Sequence, residues 1–357
     1  MADRPVVDTV FLILGRGCNL SCRYCLQHDL VDSLPAEVDP RVPAFIRRLV
    51  ARQGSLRLQL YGGEPLVYMG TVRQLVDQLA DLRGQLTWTM ITNGRLLDDA
   101  TVDWCNDTLD GVAVSWDGPA STVTRGYDVV AQRRAQLLRL RRLTLSGVVS
   151  AAAYPLSILS GVDTFDEAYV ARQGVHVNVN LDELLSVTDE HPELGRIDFD
   201  ELRRQVEVIC AAYEAHVLHG RAISHAQLTW VTRKVRNLRH GVRCGVGTRA
   251  RCGNGYTVLN LDMAGYLYAC HNTSLRVGSV DDPWDQVHAN VVAADATPTH
   301  APVCALCDAR WMCQNGCPLV TRADRELFYC QQVRAMAEPV MDTVLRLGDA
   351  LAARGEG

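Results

Sequence analysis

Two groups of cysteines stand far apart in the chain: Cys18-Asn-Leu-Ser-Cys22-Arg-Tyr-Cys25 near the N-terminus, and Cys304-Ala-Leu-Cys307-x5-Cys313-x3-Cys317 followed by Cys330 near the C-terminus. Thiolate sulfur is a soft ligand suited to zinc and to iron–sulfur clusters. Three thiolates in one short stretch can hold three corners of a cubane cluster and leave the fourth iron open to a small molecule. The later group extends backwards as Cys244-x7-Cys252-x12-Gly265-x4-Cys270. Spacing alone fits this second set to zinc as well as to iron–sulfur, because Cys-x2-Cys is the commonest zinc half-site and eight thiolates fill two tetrahedral sites.

Thirteen cysteines in 357 residues exceed what core packing asks for, so the redox compartment decides their role. Met1-Ala2-Asp3-Arg4-Pro5 opens no charged segment followed by an apolar run, and no apolar stretch approaches the length of a membrane span. The expected compartment is a reducing cytoplasm, where close cysteines are metal ligands more often than disulfides. A net charge of −5 and a pI near 6.1 offer no basic footprint for nucleic acid, and no membrane partner is expected. Lys234 is the only lysine among 36 basic residues, which reads as GC-rich codon usage.

The first half alternates strand-like and helix-like stretches. Strands are expected at Val7 to Leu14, Leu56 to Tyr61, Leu86 to Thr92, Gly111 to Trp116, Leu143 to Ala151 and Val175 to Asn180. Helices are expected at Pro43 to Gln53, Thr71 to Arg83, Asp98 to Asp107 and Val129 to Leu140. This alternation implies a parallel sheet curled into a full or partial barrel, with chemistry at the C-terminal ends of its strands. The first four strand ends carry Cys18, Tyr61-Gly62-Gly63-Glu64-Pro65, Thr92-Asn93-Gly94 and Ser115-Trp116-Asp117-Gly118-Pro119. A Gly-Gly pair at such an end lets backbone approach a ligand closely. A mostly helical bridge from Phe199 to Arg239 follows, its histidines 216, 219, 225 and 240 read as solvated, and residues after Cys330 read as a closing helix.

CxxxCxxC with an aromatic residue before its third cysteine, then Gly-Gly-Glu-Pro after the next strand, resembles the radical S-adenosylmethionine (SAM) enzymes over roughly residues 7 to 185. The resemblance implies an α/β fold with a partial (β/α)6 barrel. It implies a [4Fe–4S] cluster on Cys18, Cys22 and Cys25, with SAM on the open iron, cleaved on reduction to a hydrogen-abstracting 5′-deoxyadenosyl radical. By the same likeness Gly62, Gly63 and Glu64 hold the methionine amino group, and Tyr24 lies beside adenine. Ser115 meets the ribose or carboxylate end, and Arg125 is a carboxylate partner. Ser and Asp at a strand-to-helix junction also serve as caps, a reading that stays open for Ser115.

The later cysteines are similar to the SPASM extension of such barrels, a small α+β Cys-rich domain with two auxiliary [4Fe–4S] clusters, and this favours iron–sulfur over zinc. The likeness assigns Cys252, Cys270 and Cys317 to the barrel-proximal cluster, and Cys304, Cys307, Cys313 and Cys330 to the distal one. Cys244 is placed to complete the proximal set. The expected division is residues 1–190 for the barrel, 191–240 for the bridge, 241–335 for the extension and 336–357 for a C-terminal helix. Cys105 and Cys210, in helical segments away from both groups, are expected to be structural.

SPASM-type enzymes resemble maturases of ribosomally made peptides, so the expected reaction is an oxidative thioether, ether or carbon–carbon crosslink in a precursor peptide, fed by a one-electron reductant such as flavodoxin or ferredoxin. Two rivals remain: a small-molecule radical SAM dehydrogenase, and a formylglycine-type sulfatase maturase. Against the last, His271-Asn272 follows Cys270 where that branch places an acidic base. His271 is itself a candidate base, or else a hydrogen-bond donor supporting Cys270. Seventeen residues precede Cys18, too few for a leader-binding module, so a separate leader-peptide-binding protein is one expected partner.

Overall fold

The structure is a computed structural model and describes residues 6–30, 37–244, 253–254, 256–294, 304, 306–314 and 316–354. Its first part follows the expected alternation. In order come β1 (Thr9–Ile13), α1 (Arg41–Gln53), β2 (Leu56–Tyr61), α2 (Met69–Gln78), β3 (Leu86–Thr92), α3 (Asp99–Thr108) and β4 (Gly111–Ser115). Three short helices follow, α4 (Ser121–Arg125), α5 (Val129–Gln132) and α6 (Arg134–Leu137), and then β5 (Leu143–Val149), α7 (Pro155–Gln173) and β6 (Asn178–Glu183). The bridge is α8 (Phe199–His219) and α9 (His225–Cys244). The C-terminal part holds β7 (Val258–Asp262), β8 (Tyr266–Tyr268), β9 (Arg276–Ser279), α10 (Trp284–Ala294), α11 (Arg310–Cys313) and the long α12 (Cys330–Ala353).

Period-two burial explains the strands. In β2, Leu56, Leu58 and Leu60 are buried beneath helices while Arg57 is exposed and Gln59 and Tyr61 are half-buried. Where neighbouring strands pair, the other face is largely polar: Thr144 of β5 stands opposite Asn178 of β6, and Ser115 of β4 opposite Ser146 of β5. The sheet therefore has an apolar back that anchors the helices and a polar front available to ligands.

All nine strands form one sheet in the order β6-β5-β4-β3-β2-β1-β7-β8-β9. Strands β1 to β6 run parallel, and β6 does not pair with β1, which leaves the barrel partial. Strand β7 joins the outer edge of β1 in parallel, Thr9 opposite Val258 and Ile13 opposite Asp262, and β8 and β9 continue antiparallel. The Cys-rich region is thus built onto the barrel sheet itself, through β7.

Several elements depart from the sequence reading, and the helix expected at Val129 to Leu140 is split into α5 and α6. Helix α7 fills the gap that reading left between the fifth and sixth strands, and β6 begins three residues later than expected, at Asn178, which brings Asp182 and Glu183 to its C-terminal end. A second, smaller core of Leu184, Leu194, Val320, Phe328, Tyr329 and Val333 lies under the Cys-rich segment, and Tyr24, Cys307, Cys313 and Cys317 rest against it. Among the described residues no helix is long and apolar enough to cross a membrane.

Candidate active site at the mouth of the barrel

Beyond β1 the chain runs through Gly15-Arg16-Gly17 into the cysteine loop, and this stretch lies directly against Gly62-Gly63-Glu64 at the end of β2. Gly63 N–H donates to the Gly15 carbonyl at 2.8 Å, and Glu64 N–H to the Gly17 carbonyl at 3.0 Å. There is no room for side chains between them. A Cβ on Gly63 would fall 2.3 Å from the Gly17 oxygen, and one on Gly62, whose φ of 154° suits glycine, 2.5 Å from the Gly15 oxygen. Both obstacles are backbone, which cannot swing aside, so Gly63→Ala is expected to cost about 1–3 kcal/mol by overpacking. The measurement is the urea midpoint together with SAM retention in equilibrium dialysis; unchanged values for both would refute the close-approach argument.

Glu64 turns inward. It is 1% exposed; Oε1 accepts from Leu66 N–H at 2.9 Å and from the Thr92 hydroxyl at 2.5 Å, and Oε2 accepts from Asn93 N–H at 2.7 Å. Burial raises its pKa, opposed by these three donors. Its visible work is to tie the ends of β2 and β3. Asn93, so held, sends Nδ2 to Asn19 Oδ1 at 2.8 Å and lies 3.7 Å from Cys18 Sγ. Cys18 is exposed, Cys22 and Cys25 half-buried. Burial raises all three thiols, Cys22 to about 11.

Opposing that rise at Cys22 and Cys25 is the positive charge of Arg125. The guanidinium is 8% exposed and bidentate on Asp117, Nε to Oδ2 at 3.0 Å and Nη2 to Oδ1 at 2.9 Å, with the Tyr24 ring 5.4 Å from its centre. Asp117 is fully buried and also accepts from the Tyr24 hydroxyl at 2.5 Å, the Thr124 hydroxyl at 2.6 Å and Val148 N–H at 2.8 Å. This carboxylate fixes the cysteine loop to β4, α4 and β5 at once. Arg125, expected as a carboxylate partner for a ligand, is engaged by a carboxylate of its own chain. Ser115 is half-buried at the end of β4, two residues before Asp117.

The loop after β8 reaches the same mouth. Arg16 donates to the carbonyls of His271 at 2.6 Å and Thr273 at 2.8 Å; Gln27 Nε2 donates to Asn272 Oδ1 at 2.9 Å, and the Tyr61 hydroxyl to the same oxygen at 3.0 Å. Asn272 N–H in turn lies 3.5 Å from Cys270 Sγ. Burial raises the Tyr61 hydroxyl above its usual range, and Cys270 and Cys25 are both close enough to add to the rise. Cys270 is thereby brought beside the N-terminal cysteine loop. The imidazole of His271 is stacked on Phe11 at 4.3 Å, meets Tyr61 edge-on at 4.5 Å and has Nδ1 3.2 Å from Asn260 Oδ1. Burial lowers its pKa to about 4. A half-buried, stacked ring of so low a basicity suits the supporting role better than that of a base.

Of the remaining expected ligands, Cys304, Cys307, Cys313, Cys317 and Cys330 all lie in the described C-terminal segment; a tight turn joins the first two, Cys307 N–H to the Cys304 carbonyl at 3.3 Å, while Cys313 ends α11 and Cys330 begins α12. Cys304 and Cys307 are near enough to Cys330 to raise its thiol further, after partial burial has done so. Cys252 lies outside the described residues; Cys244 ends α9, and its side chain is outside them too. Among the described residues no three His, Cys, Asp or Glu side chains converge on one point as a single ion requires. A cubane asks for something different, each thiolate reaching its own iron. Cys105 and Cys210 are each 1% exposed inside α3 and α8. Sequence reasoning placed Tyr61, Asn93 and Asp117 at the strand ends without assigning them a role and missed Arg16 and Gln27; a Gly-x-Gly immediately before the first cysteine was the one local signal that chain would be packed closely there.

A thiol-rich loop beside a glycine cradle at the mouth of a parallel βα array defines a class. Residues 12–144 match the radical SAM superfamily, and the chain contains a radical SAM domain. Such a domain implies a [4Fe–4S] cluster and SAM, and the donor set fits: the loop offers three thiols and leaves a fourth iron open, beside a cradle with no room for a Cβ. The chain is similar to a probable GTP 3′,8-cyclase of Methanothermobacter marburgensis, 34% identical over 32% of this chain and 36% of that one. It spans only about a third of the length of such cyclases. A serine-type anaerobic sulfatase-maturating enzyme of Klebsiella pneumoniae is 24% identical over 89% of this chain and 84% of its own. Among solved structures, anSMEcpe with bound AdoMet and Cp18Cys peptide superposes with a TM-score of 0.68 at 16% identity, covering 96% of this chain and 99% of that one. Streptococcus suis SuiB bound to precursor peptide SuiA gives 0.59 at 13% identity, covering 91% and 75%. The fold, Cys-rich C-terminal region included, is similar to that of these solved structures.

Proposed function

We propose that the chain is a cytoplasmic maturase that oxidises a ribosomally made precursor peptide to form a thioether, ether or carbon–carbon crosslink. The observation that supports this is the fastening of the Cys270 loop to the cysteine loop by Arg16, Gln27 and Tyr61; an auxiliary cluster held by Cys270 would then lie near the first one and could take up an electron. Cys18, Cys22 and Cys25 hold the first cluster; the Gly62-Gly63 backbone, Tyr24 and Ser115 line the SAM site. Cys252, Cys270 and Cys317, with Cys244, hold one auxiliary cluster, and Cys304, Cys307, Cys313 and Cys330 the other. When bound and reduced by a flavodoxin or ferredoxin, the cluster and SAM supply a hydrogen-abstracting radical. Asp117 and Arg125 hold the loop rigid and set positive charge beside two of its thiolates. His271 orients the Cys270 loop rather than moving a proton.

Protein reconstituted and reduced anaerobically is expected to contain about twelve irons, from three four-iron clusters, and to release 5′-deoxyadenosine from SAM. Zinc with negligible iron would overturn the assignment. Co-expression with a short peptide encoded beside the gene is expected to give a product lighter by two hydrogens that resists fragmentation inside the crosslinked ring.

A formylglycine product is the second reading, favoured by the Klebsiella enzyme's similarity along nearly the whole chain. It too loses two hydrogens from serine, but its aldehyde reacts with hydrazides and a crosslink does not. A hydrazide-reactive product therefore selects this reading over the first.

A further inference from the structure

The chain's single lysine lines a cavity. Lys234 is 8% exposed, on the face of α9 turned toward β6, with Nζ 2.9 Å from Glu183 Oε1. The cavity, of about 220 Å3, is walled by the C-terminal end of β6, by α9, by α11 with the residue after it, and by α12. That volume is about seven times a water's ~30 Å3 share of the liquid. Asn180, on the polar front of the sheet, accepts from Arg233 and donates to Asp182 at 2.7 Å.

Two polar atoms of the wall have no partner. Trp230 is fully buried and its Nε1–H meets no acceptor; Gln314 is 8% exposed and its Oε1 meets no donor. Buried polar atoms are nearly always paired, and an orphan calls for a missing group. Gln314 also holds a left-handed backbone, φ 50°, the only non-glycine among the described residues to do so. That conformation closes the C-terminal end of α11, Gln314 N–H donating to the Arg310 carbonyl, and so fixes where its side chain leaves the helix.

Charge decides what kind of group is missing. Lys234 is paired with Glu183 and Arg233 is held by Asn180 beside Asp182, with His240 and Cys313 also on the wall, so an ionic ligand would enter without a counter-charge set aside for it. The vacant positions are one donor and one acceptor. We propose that this cavity binds a neutral amide of the substrate peptide, its carbonyl accepting from Trp230 Nε1–H and its N–H donating to Gln314 Oε1. This rests on the peptide reading above and adds a specificity element to it: an Asn or Gln side chain, or a backbone peptide unit, lodged at the end of β6.

Having one lysine makes the test direct. A water-soluble succinimidyl ester can acylate only Lys234 and the N-terminal amine, and mass spectrometry reads both, the second as an internal control. The reconstituted full chain is labelled with N-acetyl-asparagine methylamide, N-acetyl-alanine methylamide or N-acetyl-aspartate methylamide present. A ligand at about five times its Kd lowers labelling about six-fold. The asparagine probe is expected to slow Lys234 and leave the N-terminus unchanged. Equal slowing by the alanine probe assigns the site to the backbone amide, and a preference for asparagine to the side chain. Stronger protection by aspartate, protection by none, or a Lys234 that stays unlabelled without any probe overturns the proposal. Trp230→Phe should abolish protection; if that variant does not fold, Gln314→Met serves, and protection that survives it also counts against the site. Labelling needs no SAM cleavage, so a chain that protects Lys234 but cleaves nothing refutes the enzymatic reading alone.

Discussion

Replacing Cys18, Cys22 and Cys25 together by alanine is expected to bring reductive SAM cleavage down to the buffer background while the protein stays folded and keeps about eight of its twelve irons. The selectivity follows from the architecture. The three thiols sit on a loop whose backbone is held from outside, by Gly63, Glu64, Tyr68 and Thr124, and Cys307, Cys313 and Cys317 rest on the second core, which the loop touches through the Tyr24 ring rather than through its thiols. Losing the sulfurs removes ligands without removing packing. Iron analysis and 5′-deoxyadenosine release on the same sample check both halves. Full cleavage by the triple variant would contradict the ligand assignment, and loss of all iron would contradict the independence of the two regions.

Asp117→Ala is the second large expectation. The carboxylate accepts from Arg125, Tyr24, Thr124 and Val148, and with it gone the Arg125 guanidinium stays buried with no counter-charge. Breaking a buried pair from one side typically costs about 3–5 kcal/mol. A clear fall in the urea midpoint is expected, together with poor iron incorporation, because the same residue anchors Tyr24 within the cysteine loop. Arg125→Met in the Asp117→Ala background should recover much of the stability, since the orphaned charge goes with it. If the double variant is as unstable as the single one, Asp117 acts through something other than this pair.

The parts of the site readable in the sequence were those whose logic is local. Leu56 to Tyr61 and Leu86 to Thr92 emerge at their expected bounds because their alternation is clean and a turn follows each. The cysteine spacing and Gly62-Gly63 could be read for the same reason. Helix α7 was not read from the sequence, and within it lies Gly161. In the fold it is where Trp116 packs, a Cβ there falling 2.7 Å from the indole. The role of Asp117 was invisible because its partners Tyr24 and Val148 are distant in the chain, and a capping explanation was at hand. Arg16 and Gln27 act on residues 271–273, a relation no local pattern carries. Among the bridge histidines, His225 is no simple solvated residue: it stacks on His176 at 3.9 Å, and His176 pairs with Asp166 at 2.6 Å.

The pairing of β1 with β7 sets a timetable for biosynthesis. The strand that delivers the cysteine loop leaves the ribosome with one edge bare, and the strand that covers it follows roughly 250 residues later, tens of seconds at ordinary rates of translation. Throughout that interval an apolar, hydrogen-bonding edge lies beside three unligated thiols, open to association with other nascent chains. Metal loading of the first site and completion of the polypeptide are therefore coupled: a chain truncated before Val258 should emerge aggregation-prone even though every ligand of the first cluster has been made.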